Sequence, residues 1–301
     1  MLEQIRKAVA DPALAANVLN VRARETVGAK LNKYRGQRVL EADWDTLILL
    51  DGCRYDIFEQ TVPFEGDLQS FRSAGSASYE YFLNKYDGGR YPDVAYISAN
   101  TWFHKIQAEF ADIVPARELL WDDELTTVSP YDLTEYVLDH QSEYADKRLV
   151  VHYMQPHMPF LTRQNGSLQK HPVSSNEGIY KFSDDPDPDT TAWWDRLERG
   201  QMDRDVIWSA YRETLEIAFD AIEPLLELPG RSVVSADHGN AFGDGGIYGH
   251  PNHRAHESLV RVPWFIVENG RKEITPATRL TSTRELSAVD EDKLKALGYV
   301  Q

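Results

Sequence analysis

The 301-residue sequence predicts an α/β fold, with a mostly parallel central sheet flanked by helices on both faces. Three observations predict it. Short apolar runs without alternation suit strands buried on both faces. Helical patterns separate those runs, as a parallel sheet requires. The runs end in Asp, His and Gln, at the strand ends where open α/β sheets bind ligands.

The first run is Asp45-Thr-Leu-Ile-Leu-Leu-Asp51, and similar segments are Val94–Ser98, Leu149–Tyr153, Ser232–Ala236 and Val262–Val267. Between them Pro130–Gln141 and Asp205–Leu226 are helical, the latter with Ile207, Ala210, Tyr211, Leu215, Ala218, Ile222 and Leu225 on one stripe. Pro224 is expected to kink or end that helix. Residues 1–40 read as a helical arm through Leu2, Ile5, Val9, Leu14, Val18 and Val21, and 41–301 as a single α/β catalytic domain. Residues 161–200 are polar, carry Trp193-Trp194, and read as an insertion or flap over the site. Asp290–Tyr299 reads as a final helix.

Composition narrows the function. Apolar residues make up 42% and aromatics 11%, which suits a globular chain. Asp and Glu number 48 against 32 Lys and Arg, a formal net charge of −16. Such a surface argues against nucleic acid or an anionic membrane as partner, so an anionic substrate needs a metal or a basic pocket. The acidic, lysine-poor balance also fits a halophilic source, beside the alternative of an ordinary acidic protein. A lone Cys53 excludes an internal disulfide, and no run approaches the ~20 apolar residues of a membrane span. Met1–Lys7 carries both signs of charge with no apolar signal core after it, so the expectation is a cytoplasmic chain.

The chemistry-bearing residues sit at the run ends. Asp51 closes the first, His157 follows the third in Gln155-Pro-His-Met-Pro, and Asp237-His238-Gly239 closes the fourth. His250 comes soon after, then His253 and His256, which read as loop residues. Carboxylates and imidazoles together suit zinc or manganese.

In this order and spacing the motifs resemble the alkaline phosphatase superfamily, nearest its sulfatase-like branch of sulfatases, lipoteichoic acid synthases and phosphoethanolamine transferases. The resemblance spans residues 45–300, including the closing Leu-Lys-Ala-Leu-Gly-Tyr-Val. It implies metal ligation by Asp51, Asp237 and His238, and a nucleophile that also touches the metal. Ser76 matches that nucleophile in a Thr-x-x-x-Glu-like stretch ending at Glu80, with Ser78 as the alternative; either serine could also be a helix cap with Glu80 as its capping-box partner. His157 and His250 match histidines near the transferred group. Arg54 reads either as a clamp on an anionic oxygen or as an ion pair with Asp56. The sulfatase Cys/Ser-x-Pro-x-Arg motif is absent around Ser76 and Ser78, which favours phosphate over sulfate esters.

The expected function is therefore a metal-dependent phosphodiesterase, phosphatase or phosphotransferase with a serine nucleophile. One or two divalent ions are expected per chain, zinc or manganese before magnesium or calcium. The partner is an anionic ester, sugar- or lipid-linked among the options. The alternatives are a sulfatase-type hydrolase or a non-catalytic ligand-binding relative, with glycosyl transfer more distant. Cys53 reads as buried and inert, Asp184–Asp189 as a solvated loop, and Gly243–Gly249 as a flexible loop beside the metal.

Overall fold

The computed structural model describes residues 12–174 and 194–283. An eight-stranded sheet runs through it: β1 Thr46–Leu50, β2 Asp67–Arg72, β3 Arg90–Ser98, β4 Glu109–Pro115, β5 Arg148–Tyr153, β6 Gly230–Ser235, β7 Arg261–Asn269 and β8 Thr281–Ser282. The order across it is β8-β4-β3-β5-β1-β6-β7-β2. The five central strands, β4 to β6, are mutually parallel. β7 and β2 continue one side antiparallel, and β8 pairs antiparallel with β4 on the other.

The unalternating runs are explained by burial on both faces. Ile48 and Leu50 of β1 enter one core with helices α2 Tyr55–Thr61, α4 Pro130–Asp139 and α5 Arg204–Leu226. Leu47 and Leu49 enter a second core, packed by α3 Ser78–Lys85 through Tyr81 and Phe82. All five expected strands are present, and α5 keeps its predicted buried stripe. Pro224 lies in the last turn, and the helix carries on to Leu226. β2 and β4 are not marked as strands by the sequence. β2 is an edge strand exposed at Asp67, Gln69 and Ser70, so it lacks an apolar run, and Asp112 interrupts β4.

The N-terminal arm is a helix over Pro12–Arg35, α1. Of residues 21–35 only Gly28 and Asn32 are buried, one helical turn apart. A Cβ at Gly28 would lie 1.9 Å from the His253 carbonyl oxygen, so only glycine lets the helix approach that loop.

Two polar segments are tighter than expected. Leu161–Gln164 and Ser167–Lys170 form a hairpin over Asn165-Gly166, both at positive φ (52° and 83°). Ala241–Asp244 and Ile247–Gly249 form another over Gly245-Gly246, at 60° and 74°. Two positive-φ central residues are what a two-residue hairpin turn demands. The glycine-rich stretch is thus a hairpin rather than a flexible loop, and it leads directly into His250. The expected Asp184–Asp189 loop, Trp193 and the final helix lie outside the described residues. Trp194 packs edge-on against Phe242. No described helix is long and apolar enough to cross a membrane.

Candidate metal centre

The carboxyl ends of β1, β5 and β6 are adjacent in the sheet, and each delivers a buried polar side chain. Asp51 follows β1, His152 lies within β5, and Asp237 with His238 follows β6. Ligand atoms of Asp51, His152 and Asp237 lie within 4.8 Å of one another. His238 Nε2 is 3.4 Å from Asp51 Oδ1 and 3.6 Å from Asp237 Oδ2, and His152 Nε2 is 3.7 Å from Asp237 Oδ2.

The remaining valences of these groups are fixed by the chain. Asp51 Oδ2 accepts from Asn100 Nδ2 at 2.6 Å and from the Ser78 hydroxyl at 3.3 Å. Asp237 Oδ1 accepts from the backbone N–H of Gly52 and His238. Gly52 sits at φ 67° between Asp51 and Cys53, and Tyr211 of α5 braces the turn by donating to the Gly52 carbonyl and accepting from Arg54 N–H. His238 Nδ1 meets the Gly239 carbonyl at 2.7 Å, and only an N–H can satisfy that oxygen, so Nε2 carries the lone pair. His152 Nδ1 faces the Tyr96 hydroxyl at 3.1 Å.

What is left unsatisfied is informative. Asp51 Oδ1, Asp237 Oδ2 and His152 Nε2 are buried without any hydrogen-bond partner. Buried polar atoms are nearly always paired, and here three are orphaned at one point. Two carboxylates so close cannot both hold their charge comfortably. Burial, then the charge of Asp237, pushes the Asp51 carboxyl well above its ordinary range. Burial opposes the charge of Asp237 as well, but the His238 and His152 rings and hydrogen bonds from Ser78 and Gly52 outweigh it and hold that carboxyl low. Two acids and two imidazoles fit a divalent cation.

Burial lowers the His152 pKa to about 4, and His157 likewise to about 4. Both are therefore neutral at pH 7, the form that binds metals. The unfolded chain would take up these protons near pH 6.5, the folded chain only near 4, so the metal-free protein loses stability as pH falls through that window. For His152 alone the loss is on the order of 3 kcal/mol. Urea midpoints of chelated protein between pH 7 and pH 4 should fall accordingly, and His152→Gln should flatten the decline.

Ser78, the first residue of α3, places its hydroxyl 3.2 Å from His238 Nε2 and 3.3 Å from Asp51 Oδ2. Ser76 is not among the groups gathered there. Its hydroxyl donates within reach of Glu80 Oε2 and the Pro251 carbonyl, 2.9 and 2.8 Å away, and accepts from Arg254 N–H. Neither serine makes a side-chain cap; the N-cap is Ala77. Glu80 instead acts as a buried acceptor hub for Ser76 N–H, His253 N–H, His253 Nδ1 and Asn32 Nδ2 of α1.

Arg54 does not face the site either. Its Nε and Nη2 meet Asp56, while Nη1 and Nη2 meet Asp244 and Nη1 also reaches the Asn240 carbonyl, so all five N–H groups are used. The ion-pair reading holds, and Asp244 enlarges it. Arg54→Ala strands two partly buried carboxylates and should cost about 3–5 kcal/mol in urea unfolding; Lys, lacking the fork, should recover little.

His157 and His250 flank the centre, with their Nε2 atoms 2.9 Å apart. His157 Nδ1 donates to the Met158 carbonyl, so the proton between the rings belongs to His250 and leaves its buried Nδ1 without a partner. The His250 ring also stacks on His238, with centroids 4.7 Å apart. His253 serves Glu80, and His256 caps the short helix Glu257–Val260. Cys53 is buried, and burial raises its thiol pKa well above normal, which suits an inert side chain.

Two participants, His152 and Asn100, lie outside the sequence motifs. His152 was legible as the one polar residue inside Leu149-Val-Val-His-Tyr. Asn100, just past β3, carried no signal, since Asn after a strand is ordinary loop chemistry.

No family model matches the chain, and no curated protein matches it. Among solved structures it is similar to the soluble domain of lipooligosaccharide phosphoethanolamine transferase A from Neisseria meningitidis, at 13% identity and TM-score 0.43, covering 76% of this chain and 79% of that one. It is also similar to the C-terminal periplasmic domain of the phosphoethanolamine transferase EptC from Campylobacter jejuni, at 14% identity and TM-score 0.45, covering 74% and 78%. A third is the EptC periplasmic domain from Escherichia coli in complex with zinc, at 10% identity and TM-score 0.41, covering 77% and 75%. Phosphoethanolamine transferases are among the groups the sequence resembles.

Proposed function

We propose that this protein is a metal-dependent enzyme acting on phosphate esters, with Ser78 as its nucleophile. The observation that carries the reading is the convergence of orphaned Asp51 Oδ1, Asp237 Oδ2 and His152 Nε2 beside a serine hydroxyl. Asp51, Asp237, His238 and His152 would hold the ion. When bound, it would supply Lewis-acid stabilisation of charge on the phosphoryl oxygens and on the serine oxygen.

The chain's own groups do the rest. Ser78 Oγ forms a bond to phosphorus as the bond from phosphorus to the ester oxygen breaks. The serine proton has Asp51 Oδ2 within reach. At the start of α3, Ser78 presents the phosphoryl group to free backbone N–H groups and the positive helix end. His250 gives its N–H to His157, which Met158 orients, and keeps its unpartnered Nδ1 as an acceptor for the proton of a substrate hydroxyl or an attacking water. Water or an acceptor alcohol then takes the phosphoryl group from serine. The absence of the Pro and Arg of the sulfatase motif favours phosphate over sulfate.

Metal analysis of the purified protein, with assays on nitrophenyl phosphate mono- and diesters and nitrophenyl sulfate under zinc, manganese, magnesium or calcium, tests this reading. A chelator-insensitive activity, or a protein that takes up no ion, would overturn it. Adding an acceptor alcohol separates hydrolysis from transfer by the product formed.

A further inference from the structure

A second group of unsatisfied polar atoms lies on the same carboxyl edge of the sheet, away from the metal ligands. Ser98 of β3 pairs with His152 on one side and with Pro115, the end of β4, on the other. The chain thus reaches Arg117 from a strand end two strand spacings, roughly 10 Å, from that of His152. It is 9% exposed, and its Nε and Nη2 have no hydrogen-bond partner. Its guanidinium stacks on Trp121, 4.9 Å from the ring centroid. Burial lowers its pKa to about 10, so it is charged at neutral pH.

Trp121 pairs with Val128 in a small hairpin, and the Val128 carbonyl accepts from Gln155 Nε2. Gln155 belongs to the loop that delivers His157. One hairpin rung thus joins Arg117 to the metal-side loop. Around that rung Thr126 Oγ1, Thr127 Oγ1 and Gln155 Oε1 are also buried without partners. Thr126 is held at φ 54°, a costly conformation for a β-branched residue, and such strain gathers at ligand sites. A buried guanidinium with unpartnered Nε and Nη2 is a donor for an oxyanion, and Gln155 Oε1 can accept from a neighbouring hydroxyl or N–H of the same ligand.

We propose that Arg117 forms a second anion subsite that holds a distal phosphate, sulfate or carboxylate of the ester substrate. The subsite itself rests on Arg117; its part in substrate recognition rests on the function proposed above. The preferred substrate then carries two anionic groups, the reacting phosphate and another at Arg117, with a hydroxyl or N–H between them or beside the second.

The test compares the full-length wild type with Arg117→Met and Arg117→Lys. Removing a buried unpaired charge should raise the melting temperature of the ligand-free Met variant by about 2–4 °C. Inorganic phosphate should raise the melting temperature of chelator-stripped wild type, partly that of the Lys variant, and not that of the Met variant. With metal, the Met variant should keep its kcat/KM on 4-nitrophenyl phosphate within about twofold. On an analogue bearing a second phosphate on a flexible linker it should lose about 10- to 100-fold, mainly through KM. A Met variant that melts lower while keeping the phosphate response would make Arg117 a structural stack on Trp121 and overturn the proposal, as would equal losses on both esters. An Arg117-dependent phosphate response in a protein that turns over no ester would uphold the subsite and sink the phosphoryl-transfer reading instead.

Discussion

Asp51→Asn is expected to move stability and metal binding in opposite directions. In the metal-free protein the Asp51 carboxyl is buried beside Asp237, and one of its oxygens has no partner. The amide keeps the shape and removes the like-charge repulsion, so the chelated variant should be more stable, by about 1–3 kcal/mol. Asn100 and Ser78 can still meet the remaining oxygen. Yet the variant loses a charged ligand, and turnover that depends on the ion should fall on the order of a thousandfold or more. Paired urea titrations with and without metal, alongside turnover, check both halves. A variant that is less stable without metal would show that Asp51 is held by the fold for packing alone.

The second large effect separates two serines. Ser78→Ala should lower kcat by on the order of 10³–10⁴ with little change in stability, because its hydroxyl meets only the candidate metal-binding groups Asp51, Asp237 and His238. Ser76→Ala should do the reverse. It leaves the Arg254 N–H and the Pro251 carbonyl without their partner, at a cost of about 1–3 kcal/mol, while the metal ligands stay in place. Turnover within about tenfold of wild type is expected for that variant. Single-turnover assays with thermal melts resolve the two cleanly, and activity in Ser78→Ala would end the nucleophile assignment.

The contrast between these serines shows where the sequence is readable. Asp51, Asp237 and His238 were legible because each abuts an apolar run long enough to mark a buried strand end. The register of three parallel strands then brings them together without further information. Ser76 and Ser78 differ by two residues before a helix, and which of them faces the acids depends on the turn at Gly75-Ser76-Ala77. That turn is set by contacts with residues 251–254, about 175 positions away, which no local pattern encodes. Arg54 was ambiguous for a similar reason: Asp56 was visible beside it, but Asp244 and the Asn240 carbonyl arrive from the hairpin after β6. β2 was hidden because an edge strand needs no apolar run.

The buried Glu80 gives α1 a meaning that its exposed surface conceals. Asn32 bonds both Glu80 and the Arg254 carbonyl, while Gly28 lies against His253. Between residues 21 and 35 only those two positions are buried, and Glu25 adds an ion pair to Arg254 at 3.7 Å. Across homologues this stretch should therefore be free to drift in sequence, with Gly28 and Asn32 held constant. Where a lineage lost the helix, the buried carboxylate at position 80 would lose one of its donors, and the segment that carries His250 would have to find another anchor.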